Sequence, residues 1–402
     1  MPGPKSEDLP PWPWGTVVDT CLAGYGRCAD LSCAAVFRPT RDRATVDDHT
    51  SPQAAPPAPT WARVGVFAVL GVLALFVVAW AGVAFGTADV GGTDVPRFVW
   101  TALTGGSISA DDAAAYWIVI DSRVPRVITG AVVGAGLSVV GVVVQAMVRN
   151  PLADPYVLGI SSGASVGATS VVLFGVLSGI GLYAMPVAAF AGALLATLIV
   201  FGMASGAGGL TPLRLVLTGT AVGYGFSALT TVLVFLAPTG DAARSVMFWL
   251  LGSLAAAGWY SAVLVGVVTV GGVIAVAGLA RSLNALAMGD EVAASLGLSA
   301  SRFRVMAFAL SALMTGVMVS VCGAIGFVGL VVPHVARLLV GADHRRLVVI
   351  APLIGAVFLV AADLVARTAV PPQELPLGAI TAAVGVPMFL ILMHRRRSVV
   401  DR

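Results

Sequence analysis

Four charged or titratable residues stand where an apolar chain accommodates them least. Asp363, Arg367, His334 and Arg337 lie within hydrophobic stretches or at their ends. Charge placed inside a membrane is costly and tends to mark function. Two chemistries would account for it. A relay of carboxylates and histidines would move protons and drive a secondary carrier. Alternatively, Asp363 and Arg367, four residues apart, would meet on one helix face as an ion pair. One aspartate near a helix end makes a poor relay, so the pairing is the favoured reading. The energy for any transport is then expected to come from outside this chain.

A second set of arginines sits on the unexpected side. Arg123 and Arg126, in the run Arg-Val-Pro-Arg, and Arg367 fall at the outer ends of hydrophobic segments, whereas basic residues collect on the cytoplasmic side. Pro125 suits the first turn of the helix that follows. The plain reading has these arginines snorkelling to lipid headgroups. A sharper one pairs them with carboxylates of a docking protein, where they would set on-rate and register.

The opposite face offers two further segments. Leu283 to Leu298 is too polar to span. Asp290 and Glu291 favour the positive end of a short helix, and Gly297 can close it in a left-handed cap. Val292, Leu296 and nearby alanines such as Ala294 then give a small apolar face, suited to a socket in a soluble partner. The rival reading is a helix lying on lipid; the acidic start at Gly289-Asp290-Glu291 argues against it. The run Arg149-Asn150-Pro151-Leu-Ala-Asp154-Pro155 reads as a tight turn, since Asn and Asp side chains bond back to the backbone. Fixing two helices is favoured over direct ligand contact there.

Composition sets the medium in which these residues must be held. With 58% hydrophobic and only 11% charged residues, the chain cannot cover a water-facing surface; a soluble domain carries about 25% charged. The bilayer is therefore its solvent. A net charge of +3 makes no case for nucleic acid. Spanning segments are expected near 62–85, 124–148, 157–178, 183–204, 213–236, 259–280, 304–324, 326–340, 347–368 and 377–394. The fold class is thus an all-α membrane protein of about ten helices. The eighth span is short and interrupted by Pro333, which is tolerated only against protein or a water-filled path. Arginines concentrate in alternate loops and in the tail Arg395-Arg396-Arg397, which places both termini in the cytoplasm.

Gly159, Gly163 and Gly167 form a ladder of small residues, and Gly130 and Gly134 repeat the spacing; such faces let helices pack closely. Gly159-Ile-Ser-Ser-Gly163 lacks the lysine of a phosphate-binding loop, so helix packing is preferred. Residues 1–60, rich in proline and charge, are expected to be a disordered cytoplasmic tail. The membrane-spanning domain would cover 61–396, followed by a short cytoplasmic tail at 397–402. Cys21, Cys28 and Cys33 lack a paired Cys-x-x-Cys, so reduced thiols are favoured over a metal site with His49. No metal site is expected.

Several runs occur together in order: Arg123 to Arg126, Gly141 to Gln145, Arg149 to Pro155, Leu158 to Ala164, Gly289 to Gly297, Gly326 to Arg337, Glu374 to Gly378 and Gly385 to Pro387. From about residue 62 to 396 the chain resembles the permease subunits of ABC importers for ferric siderophores, haem and vitamin B12. The resemblance implies ten spans per subunit, a second permease subunit, identical or homologous, and two ATPase subunits that bind ATP. It also implies an extracytoplasmic substrate-binding protein that docks through acidic residues. Arg123, Arg126 and Arg367 match the arginines that receive it. Gly289 to Gly297, with Asp290, Glu291, Ala294 and Leu296, matches the loop that couples to the ATPase. With ATP bound by the partner, no catalytic residue and no cofactor is implied in this chain. The reading that follows is a multi-pass permease of the cell membrane, importing ferric siderophores with ATP. Its alternatives are a haem or vitamin B12 permease, an ion-gradient carrier, and a non-transporting sensor or scaffold.

Overall fold

The computed structural model describes residues 60–88, 90–91, 94–206 and 209–400, with no account of the side chains of 392, 393 and 395–400. The expected disordered tail and its three cysteines lie outside the described residues. Within them the chain is helical throughout, with two isolated bridges and no strand.

In chain order the helices are α1 (Trp61–Ala84), α2 (Val95–Thr104), α3 (Ala113–Trp117), α4 (Val124–Met147), α5 (Ile160–Phe174), α6 (Ala184–Ala204), α7 (Pro212–Phe235) and α8 (Gly240–Leu250). They continue as α9 (Trp259–Met288), α10 (Asp290–Ser295), α11 (Ala300–Cys322), α12 (Val328–Val340), α13 (His344–Thr368) and α14 (Leu377–Val400). Among the described residues seven segments are long and apolar enough to cross a bilayer. Three shorter apolar helices, α5, α12 and the Leu377–Ile391 part of α14, join them. Each of the ten expected spans therefore has its helix. α12 is 13 residues long and holds Pro333. At about 1.5 Å per residue it reaches only about 20 Å, short of a hydrocarbon core of about 30 Å.

α4 is the axis. Its buried residues run from Pro125 to Met147 with few breaks, and it packs against α9, α11, α12 and α13. A helix hydrophobic all round belongs in such a centre, and valines fill it: Val133, Val139, Val140, Val143 and Val144 are all fully enclosed. Two rungs of the glycine ladder, Gly163 and Gly167, find their partner in α6, while Gly159 faces Gly219 and Gly223 of α7. A Cβ at Gly167 would lie 2.0 Å from the Ala188 carbonyl oxygen, and one at Gly163 would lie 2.4 Å from that of Gly192. Backbones meet there without intervening side chains.

Candidate functional site: two polar clusters joined by α4

The first cluster gathers at the start of α4. Arg126 follows Pro125 in its first turn and lies against α13. Its Nε and Nη2 donate to Asp363 at 2.8–3.1 Å, while Nη1 and Nη2 donate to Glu374 at 3.0 Å each. Two forked contacts from one guanidinium fix it in orientation as well as place. Asp363 also pairs with Arg367 at 3.4 Å, so the helical ion pair expected from the four-residue spacing forms.

The end of α1 completes the cluster. Arg367 donates to the Gly82 carbonyl. Arg123 donates to the carbonyls of Val83 at 3.0 Å, Ala84 at 2.8 Å and Ala88 at 2.5 Å. The last carbonyls of a helix have no partner within it and carry partial negative charge, so cations suit that place. Arg123, Arg126 and Arg367 are 4%, 7% and 3% exposed. They do not snorkel into headgroups. They tie α1, α4 and α13 together, with the partly exposed Glu374 as the rim.

The second cluster lies where α4 ends. Arg304, the fifth residue of α11, is 1% exposed. It donates to the Met147 carbonyl of α4 at 3.3 Å, to the Leu210 carbonyl of the α6–α7 link at 2.6 Å, and to Asp290 at 2.8 Å. Arg149 stands 4.0 Å from the same carboxylate. The short helix α10 begins at Asp290 as its acidic residues suggest. It closes at Gly297, where Gly297 N–H donates to Ala294 and Leu298 N–H to Ala293. The positive φ of 78° at Gly297 makes glycine the residue of choice there. Glu291, Val292, Ala294 and Leu296 are exposed, and only Ala293 of the helix is buried.

Between the clusters and the rest of the bundle lies the turn after α4. Asn150 Oδ1 accepts from Leu152 N–H at 2.9 Å, and Asp154 Oδ1 accepts from Tyr156 N–H at 2.8 Å. Asp154 also accepts from the Phe327 N–H. The Tyr156 hydroxyl donates to the Ile325 carbonyl at 3.0 Å and accepts from the Ile325 N–H at 2.9 Å. Gln145 reaches the Gly329 and Leu330 carbonyls and accepts from Arg337. The irregular backbone joining α11 to α12 is thus satisfied by this turn, as backbone enclosed by protein must be. Pro151 and Pro155 flank the turn, and Pro155 packs on Gly329.

Burial pushes the Asp154 carboxyl up to about 6, against the two backbone N–H groups that favour its charged form. The residue keeps some surface, but the carboxyl is enclosed. Its ordinary value is 3.8, so between about pH 4 and 6 the folded protein holds a proton that the unfolded chain has released. Stability falls as pH rises through that window and stays lowered above it. Asp154→Asn is expected to flatten this slope. Its melting temperature in detergent should rise relative to the parent between pH of about 4.5 and 7.5, by at most about 3 kcal/mol in stability. Parallel curves for the two proteins would refute the assignment.

Sequence reasoning missed Arg304, Tyr156 and the tie between Arg126, Asp363 and Glu374. No local pattern singled out Arg304: it is the fifth residue of α11, past the first turn in which the helix dipole acts on a charge.

A bundle of apolar helices around one buried rod, with polar clusters at both ends, is the build of a multi-pass membrane protein. The model of the FecCD transport family matches residues 67–395, and the chain belongs to that family: it is a multi-pass permease subunit of the ABC importer class. An uncharacterized ABC transporter permease protein, YvrB of Bacillus subtilis, is 39% identical, the match covering 82% of this chain and 93% of the relative. The hemin transport system permease protein HmuU of Yersinia pestis is 38% identical over 82% of this chain and 96% of its own. The iron(3+)-hydroxamate import system permease protein FhuB of Bacillus subtilis is 35% identical, covering 82% and 83%. Among solved structures, an inward-facing metal-chelate type ABC transporter superposes with a TM-score of 0.71 at 29% identity, covering 82% of this chain and 99% of that one.

Proposed function

We propose that this permease imports ferric siderophore complexes, driven by ATP hydrolysed on two separate ATPase subunits. The family match across nearly the whole helical domain carries the reading, and relatives named for iron(3+)-hydroxamate, iron(3+) dicitrate and hemin import point to an iron chelate. Haem or vitamin B12 is the alternative cargo, since cobalamin permeases are also among the relatives. A second permease subunit, identical or homologous, completes the pair, and both termini face the cytoplasm.

In this reading α10 seats in the ATPase. Its exposed Val292 and Leu296 supply the apolar contact, and Asp290, held by Arg304, passes the motion to α4 and the α6–α7 link. At the far end, a loaded binding protein meets the cluster of Arg123, Arg126 and Arg367. Because these arginines are already engaged within the chain, they act as a fixed positive field behind the Glu374 rim, steering acidic groups of the partner. Arg123→Gln should lower the association rate of the binding protein about tenfold at low salt, with a smaller change in dissociation. An unchanged association rate would remove the docking role. The function itself is tested by reconstituting the permease with its ATPase in liposomes and following a labelled ferric siderophore. Uptake should require ATP and the binding protein. Uptake without any ATPase would refute the reading, and ATP-driven transport of haem or B12 in place of iron would select the alternative.

A further inference from the structure

An apolar cleft of about 280 Å³ runs along the seam of α6 and α11, outside both polar clusters. Phe190, Leu194 and Phe201 form one wall and Phe308, Ala309 and Leu313 the other. The hydroxyl of Thr197, the single polar side chain lining the cleft, donates to the Ala193 carbonyl at 2.8 Å. Nothing polar is therefore left to attract a polar ligand. The walls extend over residues 190–201 and 305–316, about 17 Å of helix. That length matches the depth of one leaflet's hydrocarbon, about 15 Å.

One mouth of the cleft is basic. Arg302 stands seven residues before Ala309 and eleven before Leu313, so it prolongs the same stripe of α11. It is exposed. The α6–α7 link is held against this first turn of α11 by Leu210 N–H, which donates to Ser301 Oγ at 3.2 Å. Arg214, also exposed, lays its guanidinium beside Gly206 in that link. Among the described residues neither guanidinium has a carboxylate or a hydrogen-bond partner. Basic pockets between membrane helices suit anionic lipid headgroups.

We propose that this cleft is a binding site for an anionic phospholipid, with one acyl chain between α6 and α11 and the phosphate at Arg302 and Arg214. Depth, dryness and the charge at the mouth select that occupant over a free polar ligand or a second protein. The lipid would bridge the α6–α7 link and α11, the two elements that Arg304 also joins, on the α10 side of the bundle.

The test is native mass spectrometry of the purified full chain in detergent, supplied with phosphatidylglycerol and phosphatidylcholine of identical acyl chains in equal amounts. The parent should retain one lipid, phosphatidylglycerol over phosphatidylcholine by about tenfold. Arg214→Gln combined with Arg302→Gln should erase the preference while a lipid is still retained. Ala309→Trp, at an exposed position of the wall, should lose both lipids. Both variants should keep the parent's melting temperature without added lipid. Equal retention by Ala309→Trp and the parent would overturn the proposal, as would a preference that survives loss of both arginines. Stoichiometric co-purification of an apolar polypeptide in place of lipid would overturn it too.

Discussion

Asp363→Ala is expected to destabilise the permease by about 3–5 kcal/mol, the cost of removing one partner from a buried ion pair. The carboxylate is shared by Arg126 and Arg367, and all three side chains are buried. Without it, Arg126 retains Glu374 and Arg367 retains the Gly82 carbonyl, but two guanidinium groups then face each other with less compensating charge. Thermal unfolding in detergent reads the loss directly. The same variant separates the two chemistries raised by the sequence. A proton relay predicts that Asp363→Asn abolishes transport and leaves stability nearly untouched. The ion-pair role predicts that Asp363→Asn melts markedly earlier, and that a double-mutant cycle with Arg126→Gln returns a coupling energy above about 1 kcal/mol. A cycle that sums to zero would discard the pairing as a source of stability.

Arg304→Ala should be nearly as damaging, for a different reason. It would leave the Met147 and Leu210 carbonyls without their donor and release Asp290. Orphaned buried acceptors cost about 1–3 kcal/mol each; Asp290 is partly exposed and adds less. Arg304→Lys keeps the charge but has one ammonium where a planar fork serves three directions, so it should recover only part of the stability. If α10 is the contact with the ATPase, Arg304→Lys should also uncouple. ATP hydrolysis in the assembled transporter would persist while cargo uptake drops at least about tenfold, a loss of about 1.4 kcal/mol in coupling. Proportional loss of hydrolysis and uptake would make Arg304 a purely structural residue.

The ten spans were legible because lipid imposes one requirement that is visible in every window of sequence: a run of apolar residues about 20 long. Even the short α12 stood out through Pro333. Helix ends were less legible. α9 continues to Met288, eight residues beyond the apolar run, because Leu283 and Leu286 still pack inward. The short amphipathic helices α2 and α8 were not anticipated, since neither is long enough to register as a span. The burial of the arginines was the least visible feature. Arg126 finds its partners 237 and 248 residues away, and no local pattern encodes such a distance. Arg123 and Arg367 bind backbone carbonyls at the end of α1, acceptors that every residue possesses and no residue type announces.

The two arginine clusters stand at opposite ends of one helix. Arg126 anchors the first turn of α4, and Met147, its last residue, is held by Arg304. The 24 residues of α4 span about 36 Å, and packed interiors compress little. If such a rod moves as one body, a displacement that α10 imposes on Arg304 would reach Asp363. Thermodynamic reciprocity then carries a consequence for the assembly: whatever binding free energy the near tip lends to the far one, the far tip must return in equal measure. A partner seated over Glu374 and a partner seated on Leu296 would each sense the other's presence as a change in its own affinity.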